Sequence, residues 1–201
     1  LVHAKNQQKI SHKFEIEKKF INYNSKILLN AEIYNQGFKT EKKQIDGDNF
    51  ITGSYYRFFP IFGISSETPF KIKKLHPKLT LNPKINLVLA PGISNSNKLS
   101  NEDSTINDFS IENIYRLNRY SGSDKLDNSK RITYSINAYT DNFKSSLSQS
   151  YEFTNNSNFH KEQGNDDNLS DLLGSIEYLN YNELSYDFRY DLDDKYLKKQ
   201  N

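Results

Sequence analysis

The chain has 201 residues and contains no cysteine. Disulfides and thiolate metal sites are therefore excluded from this segment, whereas the redox compartment is left open. No run of about 18 apolar residues occurs, which excludes a transmembrane helix. The 27 Lys and Arg residues nearly balance the 25 Asp and Glu residues, and they form no sustained basic stripe. This charge distribution argues against a nucleic-acid partner.

The sequence also lacks the signatures of catalytic and cofactor sites. No nucleophile elbow, P-loop or dinucleotide fingerprint occurs, and the 4 His residues have no metal-ligand spacing. The acidic pairs Glu102-Asp103 and Asp166-Asp167 are candidate divalent-cation ligands, but solvated loop acids are the more common use of such pairs. The sequence therefore predicts no enzyme, no cofactor and no metal site.

The start of the chain has no recognisable leader. Leu1 stands where an initiator Met would be, and neither an apolar leader region nor a cleavage site follows it. We interpret the chain as a segment of a longer protein, or alternatively as a mature N-terminus that remains after signal removal.

Aromatic residues are abundant in a chain that is otherwise polar. Apolar residues make up only 35% of the chain, yet 14 Tyr and 13 Phe are present. That many rings argue against a disordered chain. They belong to segments in which apolar and polar residues alternate, which is the pattern of β-strands with two unlike faces. These segments are 12–20, 27–34, 50–68, 79–89, 132–138, 143–153, 172–178 and 184–192.

Several interruptions and connections qualify this pattern. Pro60 with Gly63, and Pro83, predict bends, bulges or an edge position within their strands. The polar stretches 36–48 and 155–168 are predicted to be loops. A long polar loop follows Pro91, and Phe109–Tyr120 is a further candidate strand. Short turns and long polar loops then alternate, with about eight to ten strands in total.

Two all-β architectures satisfy this pattern. In an outer-membrane β-barrel, alternate residues face lipid and lumen, short turns lie at one end, and aromatic girdles mark the strand ends. A soluble antiparallel sandwich alternates in the same way, but its apolar faces meet in a dry core. Periodicity alone leaves both possibilities open.

The polar stretch between the strands carries a distinctive series of residues. It consists of Asn101-Glu102-Asp103-Ser104, then Phe109–Asn113, and then Arg119-Tyr120-Ser121-Gly122-Ser123-Asp124. Gly two residues before Asp favours a turn or bulge, and Arg119 could pair with Asp124 across it. From the residues alone, a turn that fixes strand register is favoured over direct ligand contact.

This ordered series resembles the C-terminal barrel region of the LptD family, the LPS-assembly or organic solvent tolerance proteins. The resemblance is strongest over residues 50–195. Further matching segments are Arg57-Phe58-Phe59-Pro60, Pro69-Phe70, His76-Pro77, Asn82-Pro83, Gln149-Ser150-Tyr151, 170–174 and 184–191. It implies that residues 1–201 form part of an LptD-like barrel domain, an antiparallel up-and-down meander that is an arc of the wall and not closed on its own.

The resemblance also implies function, partners and location. Proteins of this family deliver lipopolysaccharide (LPS) to the outer leaflet of the outer membrane of Gram-negative bacteria. The implied partners are LPS, an LptE-like plug lipoprotein, membrane lipid, and periplasmic LPS bridge proteins that bind an N-terminal domain missing here. The lateral gate of the family is expected to lie outside this segment.

The same resemblance implies that the side chains on the two faces of the strands meet different environments. Side chains expected to face lipid are Ile132, Tyr134, Ile136, Leu184, Tyr186 and Phe188. Side chains expected to face the lumen are Arg131, Ser135, Asn137, Asp187 and Arg189. The alternatives are an outer-membrane channel of another kind and a soluble β-sandwich that binds a carbohydrate or protein.

Overall fold

The computed structural model describes residues 6–46, 49–72, 78–93, 95–105, 108–154, 164, 167–179 and 183–200. Within these ranges the chain forms ten strands and no helix. The strands are β1 (Asn6–Asn22), β2 (Ser25–Asp46), β3 (Asn49–Glu67), β4 (Phe70–Ile72), β5 (Leu79–Leu89), β6 (Lys130–Tyr139), β7 (Phe143–Glu152), β8 (Leu172–Leu179), β9 (Glu183–Asp191) and β10 (Tyr196–Gln200).

All ten strands belong to one antiparallel sheet. Its order is β1-β2-β3-β5-β6-β7-β8-β9-β10, and the short β4 also pairs with β5. Almost every strand therefore pairs with its neighbours in sequence, as in an up-and-down meander. β1 and β10 stand at opposite edges of the sheet, so the arc is open. The expected fold class is confirmed.

The described residues contain no helix of the length and apolar character needed to cross a membrane.

Residues 36–46 do not form the predicted loop, because β2 continues to Asp46, with its pairing to β3 shifted in register between Thr40 and Lys43. Most of the buried inward side chains of this segment are polar, namely Gln36, Thr40 and Lys43, whereas Phe38 is apolar. The polar ones bond to other polar groups on that face. Gln36 Nε2, for example, donates to Ser11 Oγ and to the Ser123 carbonyl oxygen, both at 3.0 Å. A strand that is polar on its inner face loses the hydropathy alternation by which sequence analysis finds strands.

The predicted strand at 109–120 is also wrong. Residues 111–115 form turns, and the amide of Ile114 donates to the Ser110 carbonyl oxygen at 3.0 Å. The Asn113 side chain accepts from the Ser110 amide at 3.0 Å and donates to the Asp108 carbonyl oxygen at 2.6 Å. These local side-chain bonds to the backbone favour a turn over an extended strand.

Pro83 lies within β5 without a bulge toward β6, where it pairs with Ile136. Its carbonyl oxygen accepts from the Thr68 amide at 3.2 Å, so its backbone faces the break between β3 and β4. The N–H that proline lacks would point at this break. The residue therefore interrupts no regular ladder, which is why a strand tolerates it here.

The connections differ in length between the two ends of the sheet. The turns 23–24 and 140–142 lie at one end, called here the short-turn end. The connections 90–129 and 153–171 lie at the other, the long-loop end. Asp193 and Asp194 form a turn, and β10 follows it as an additional strand. The predicted loop 155–168 falls mostly outside the described residues.

The two faces of the sheet have different compositions. One face, called outward, carries exposed apolar side chains on every long strand, such as Ile16, Phe62, Ile85, Leu147 and Ile176. No second sheet covers these side chains among the described residues. The soluble β-sandwich alternative therefore fails, since it requires apolar faces packed against each other.

The opposite, inward face is covered by residues 90–129, called here the inner loop. Leu117 and Leu126 of this loop pack in one cluster with the inward side chains of Tyr34, Phe59 and Val88. A second cluster joins the loop residues Phe109 and Ile114 to Leu173 of β8. The buried apolar core of the arc is thus shared between the inner loop and the sheet.

Removal of a core side chain from the inner loop should release the loop from the sheet. Leu126 is fully buried, so Leu126→Ala should cost about 2–5 kcal/mol of local stability. Trypsin should then cleave faster at Lys98, Arg116 or Lys125. Ile93→Ala is the matched control, because Ile93 lies in the same loop but is 46% exposed. Equal cleavage rates in the two variants would contradict the core position of Leu126.

Candidate functional site

The polar motif residues meet in one structure on the inward face, called here the clasp. It joins 101–104 to 122–124 by reciprocal hydrogen bonds from backbone to carboxylate. Asp103 Oδ1 accepts from the amides of Ser123 at 2.9 Å and Asp124 at 2.7 Å. In return, Asp124 Oδ2 accepts from the amides of Glu102 at 2.7 Å and Asp103 at 3.0 Å. Each carboxylate thus holds the other segment in place.

Asn101 and Ser104 complete the first half of the clasp. The Asn101 side chain accepts from the Ser104 amide at 3.0 Å and donates to the Ser104 carbonyl oxygen at 2.6 Å. Ser104 Oγ then donates to Asp103 at 2.8 Å and accepts from the amides of Asp124 and Lys125. Three of the four consecutive polar residues, Asn101, Asp103 and Ser104, therefore use their side chains in hydrogen bonds within the clasp.

Gly122 allows the two halves to approach closely. Its φ of +72° is in the left-handed region, and a Cβ placed on it would lie 2.2 Å from the Asp103 carbonyl oxygen. A residue with a side chain meets both a conformational penalty and a clash at this position. The expected turn at this glycine is present.

Residues of β1 and β3 fasten the clasp to the sheet. Lys9 Nζ of β1 lies 2.9 Å from Asp103 Oδ2 and 2.6 Å from Asp124 Oδ1. Arg57 of β3 donates to the carbonyl oxygens of Ser123 at 2.8 Å and Asp124 at 2.9 Å. The ammonium of Lys9 offsets the repulsion between the two carboxylates, which would otherwise oppose their approach.

The acidity of Asp103 reflects these contacts. Partial burial alone would raise the pKa of this carboxyl. The hydrogen bonds from Lys9, Ser104 and the amides of Ser123 and Asp124 outweigh burial and hold the pKa well below its usual range. The Asp103 carboxylate therefore stays ionised across the physiological pH range.

Arg119 does not form the expected pair with Asp124 but belongs to a second, buried network. Its Nε donates to Asp127 Oδ2 at 2.6 Å, and its Nη2 lies 3.3 Å from Glu152 Oε2. Arg131 of β6 donates to the same Asp127 oxygen at 3.1 Å. Burial alone would lower the pKa of Arg119, but Asp127 and Glu152 outweigh it and raise this pKa.

These four residues form a neutral charge quartet, which ties the end of the inner loop to β6 and β7. All four are at least nine-tenths buried. Ser129 donates to Glu152 as well, and Arg131 donates to the Arg116 carbonyl oxygen. Removal of one member would leave an uncompensated buried charge, which makes such a network rigid.

Sequence analysis did not identify Lys9, Arg57, Asp127 and Glu152 as parts of these networks. Lys9 is 94 positions from Asp103 along the chain, and no local motif marks it. The register of the sheet brings Lys9, Arg57 and Glu152 to the loop, whereas Asp127 is itself a loop residue, eight positions from Arg119.

The residues for which facing was predicted lie on the two faces as follows. Ile132, Tyr134, Ile136, Leu184, Tyr186 and Phe188 occupy outward positions. Arg131, Ser135, Asn137, Asp187 and Arg189 occupy inward positions. Of the second set, Arg131 belongs to the quartet, Ser135 accepts from Tyr115, and Arg189 lies 3.4 Å from Asp171. That these faces meet lipid and lumen stays a prediction.

Two polar cavities open on the inward face beside the inner loop. One, of about 440 Å³, lies between residues 108–116 and strands β8 and β9, with Arg116 and Asp187 in its lining. The other, of about 420 Å³, lies between Lys13, Glu32 and loop residues 115–122. No three metal-ligating side chains cluster within the described ranges, and Asp166 of the acidic pair considered above lies outside them.

Substitution of Gly122 should disrupt the clasp through its close approach to Asp103. Gly92→Ala is the matched control, because Gly92 has a similar φ of +84° but nothing within 4 Å of an added Cβ. Both variants share the left-handed penalty of about 1–2 kcal/mol. Gly122→Ala should lose about 1–3 kcal/mol more through steric overlap. The comparison is made by the temperature at which the folded band disappears on a detergent gel, and equal shifts would contradict the clash.

The low pKa of Asp103 predicts that acid will weaken the clasp. Because the folded pKa lies below the unfolded value of about 3.9, this group contributes its full stabilisation above about pH 4. The contribution is lost as the pH falls further toward the folded pKa. Pepsin cleavage within 101–124, corrected for pepsin activity on an unfolded substrate, should therefore rise as the pH is lowered from 4 to about 2. In Asp103→Asn this rise should be smaller, and an identical rise would count against the assignment.

Comparison with known proteins supplies the family. The family model described as LptD, LPS transport system D, matches residues 5–201. No curated protein matches the chain significantly. The LptD family is an outer-membrane component of LPS transport, and the open all-β arc with two unlike faces fits it. The match extends over nearly the whole chain, and the chain therefore belongs to the LptD family.

Proposed function

We propose that this chain forms part of the wall of an outer-membrane translocon that inserts LPS into the outer leaflet of the outer membrane. The observation that carries the proposal is the division of a single sheet, in a member of the LptD family, into an exposed apolar face and a polar face. Residues 1–201 would form an arc of the barrel domain.

The physical demands of the cargo support this role. LPS combines acyl chains with a saccharide that carries phosphate, and these parts need opposite environments. In a barrel wall, alternate side chains face lipid and lumen, so one strand serves both. Outward residues such as Ile136 and Leu184 would contact lipid. Inward residues such as Asn137 and Asp187 would line the path of the polar part.

The inner loop gives this path its shape. It occupies the polar side of the arc and is held there by the clasp and the charge quartet. The two inward cavities lie on either side of residues 115–116. We infer that the loop is a fixed inner wall beside which the saccharide passes, and that it catalyses no reaction.

The partners follow from the same role. An LptE-like plug lipoprotein would contact the inward face, and periplasmic LPS bridge proteins would bind another domain of the full-length protein. Membrane lipid would surround the outward face, in the outer membrane of a Gram-negative cell.

A charge placed on the outward face tests the membrane embedding. Ile136→Arg and Leu184→Arg should each cost up to about 2–4 kcal/mol, most near the bilayer midplane. Both should reduce the amount of folded protein in the outer-membrane fraction. Surface LPS, measured by antibody binding to intact cells, should fall with it.

Arginine on the inward face provides the matched controls. Ser185→Arg follows Leu184 directly and pairs across the sheet with Glu177, so the new charge gains a partner. Ser146→Arg lies among polar neighbours on β7. Both variants should assemble normally. Normal assembly of Ile136→Arg would refute the embedding. If surface LPS stayed unchanged when the wild-type protein is depleted, that result would instead refute LPS as the transported molecule.

A further inference from the structure

The outward face contains a depression of about 460 Å³ that crosses β1, β2, β3 and β5. Ala31 forms its floor, because its cross-strand neighbours Ile16 and Phe62 have much larger side chains. Leu29 and Leu89 are further apolar side chains of the wall. The depression is long, apolar and continuous with the rest of the outward face, so it can accept a hydrocarbon chain.

A lysine lies at the rim of this depression. Lys18 occupies an outward position on β1, opposite Leu29 and between Ile16 and Phe20. Three lysines hold outward positions on β1, β2 and β6, namely Lys18, Lys39 and Lys130, and only Lys18 lines the depression. A cation within a lipid-facing apolar surface is costly unless an anion accompanies it.

No carboxylate of the described chain supplies that anion. The ammonium of Lys18 lies 5.5 Å from the centroid of the Phe20 ring, and no ion pair joins it to an acidic residue in the described ranges. Glu41, which also faces outward, is near the opposite end of β2. The apolar depression therefore has at its rim a positive charge without a protein counter-ion in the described ranges.

The position of Lys18 along β1 indicates which class of lipid can reach it. Lys18 is near the turn 23–24, at the short-turn end of the sheet. Short turns of outer-membrane barrels lie on the periplasmic side, where the leaflet consists of phospholipid rather than LPS. An anionic group that reaches Lys18 from this side is the phosphate of a phospholipid headgroup.

We propose that the depression is a binding site for an anionic phospholipid of the periplasmic leaflet. One acyl chain lies over Ala31, and the headgroup phosphate pairs with Lys18. The inference rests on the proposed membrane embedding of the outward face. The bound phospholipid would stay at the outward face of the barrel wall and would be distinct from the transported LPS.

Photo-crosslinking in vesicles tests the site. The full-length protein is reconstituted into phosphatidylcholine vesicles that contain a trace of photoreactive phosphatidylglycerol, photoreactive phosphatidylcholine or photoreactive LPS. Labelling of the peptides that contain residues 16–31 and 62–64 should be highest with phosphatidylglycerol. Lys18→Gln should reduce this labelling about fivefold, as expected for the loss of one lysine beside an anionic headgroup.

A second variant and a control separate shape from charge. Ala31→Leu fills the depression with a lipid-compatible side chain, so it should reduce labelling while assembly stays normal. Lys39→Gln removes an outward lysine outside the depression, one that already lies 3.8 Å from Glu41. This control should leave the labelling unchanged.

Four outcomes would overturn the proposal. Equal labelling by the two phospholipids, or insensitivity to Lys18→Gln, would show only general annular lipid. Preferential labelling by LPS would assign the depression to the cargo. Absence of labelling at every outward residue would refute the membrane embedding itself, whereas labelling elsewhere on the outward face would leave the embedding intact.

Discussion

The position of the inner loop on the sheet depends on the paired hydrogen bonds of Asp103 and Asp124. Each carboxylate accepts hydrogen bonds from backbone amides of the segment that carries the other. An isolated curved sheet with one polar face has no core, and in the part of the chain that the structure describes the buried apolar clusters form where the inner loop lies against that face. The clasp brings two carboxylates together, and the ammonium of Lys9 makes this possible by compensating their charge. Loop position and strand position are therefore coupled: displacement of β1 would separate Lys9 from both carboxylates.

The loop is fastened at two points by different physical means. The clasp is partly exposed and rests on hydrogen bonds from backbone amides, whereas the quartet around Asp127 is fully buried and rests on paired charges. Buried ion networks contribute little net stability, but breaking one is strongly destabilising. The quartet thus fixes where the loop joins β6 and β7 and permits few alternatives. In the proposed translocon, a loop held in this way would keep a constant shape beside the passing saccharide.

Much of the fold followed from the sequence, because strands with one apolar face carry their own signal. Strands such as β6 and β9 alternate cleanly and were predicted almost to their ends. The sequence does not predict residues 36–46 of β2 as a strand. Gln36 and Lys43 face a polar interior there, so neither face of the segment is distinctly apolar. The sequence predicts a strand over 109–120 because apolar residues recur there, but this segment forms turns and packs Phe109 and Ile114 against Leu173 of β8. The partners of Arg119 could not be predicted, because Asp127 of the same loop carries no local motif and Glu152 reaches Arg119 only through the pairing of β6 with β7.

The motif residues are therefore best understood through geometry rather than through contact with cargo. Gly122 is required because its backbone passes within van der Waals contact of another backbone segment. Asp103 and Asp124 are required because their carboxylates accept hydrogen bonds from the backbone amides of the opposite segment. Asn101 is required because its side chain closes the turn at 101–104. None of these roles needs the transported molecule. In the proposed function, the side chains that would contact the cargo are those that neither the clasp nor the quartet uses, such as Asp187 and Arg116 beside the inward cavity of about 440 Å³. The motif would then fix the shape of the path, and less distinctive residues would form the surface along it.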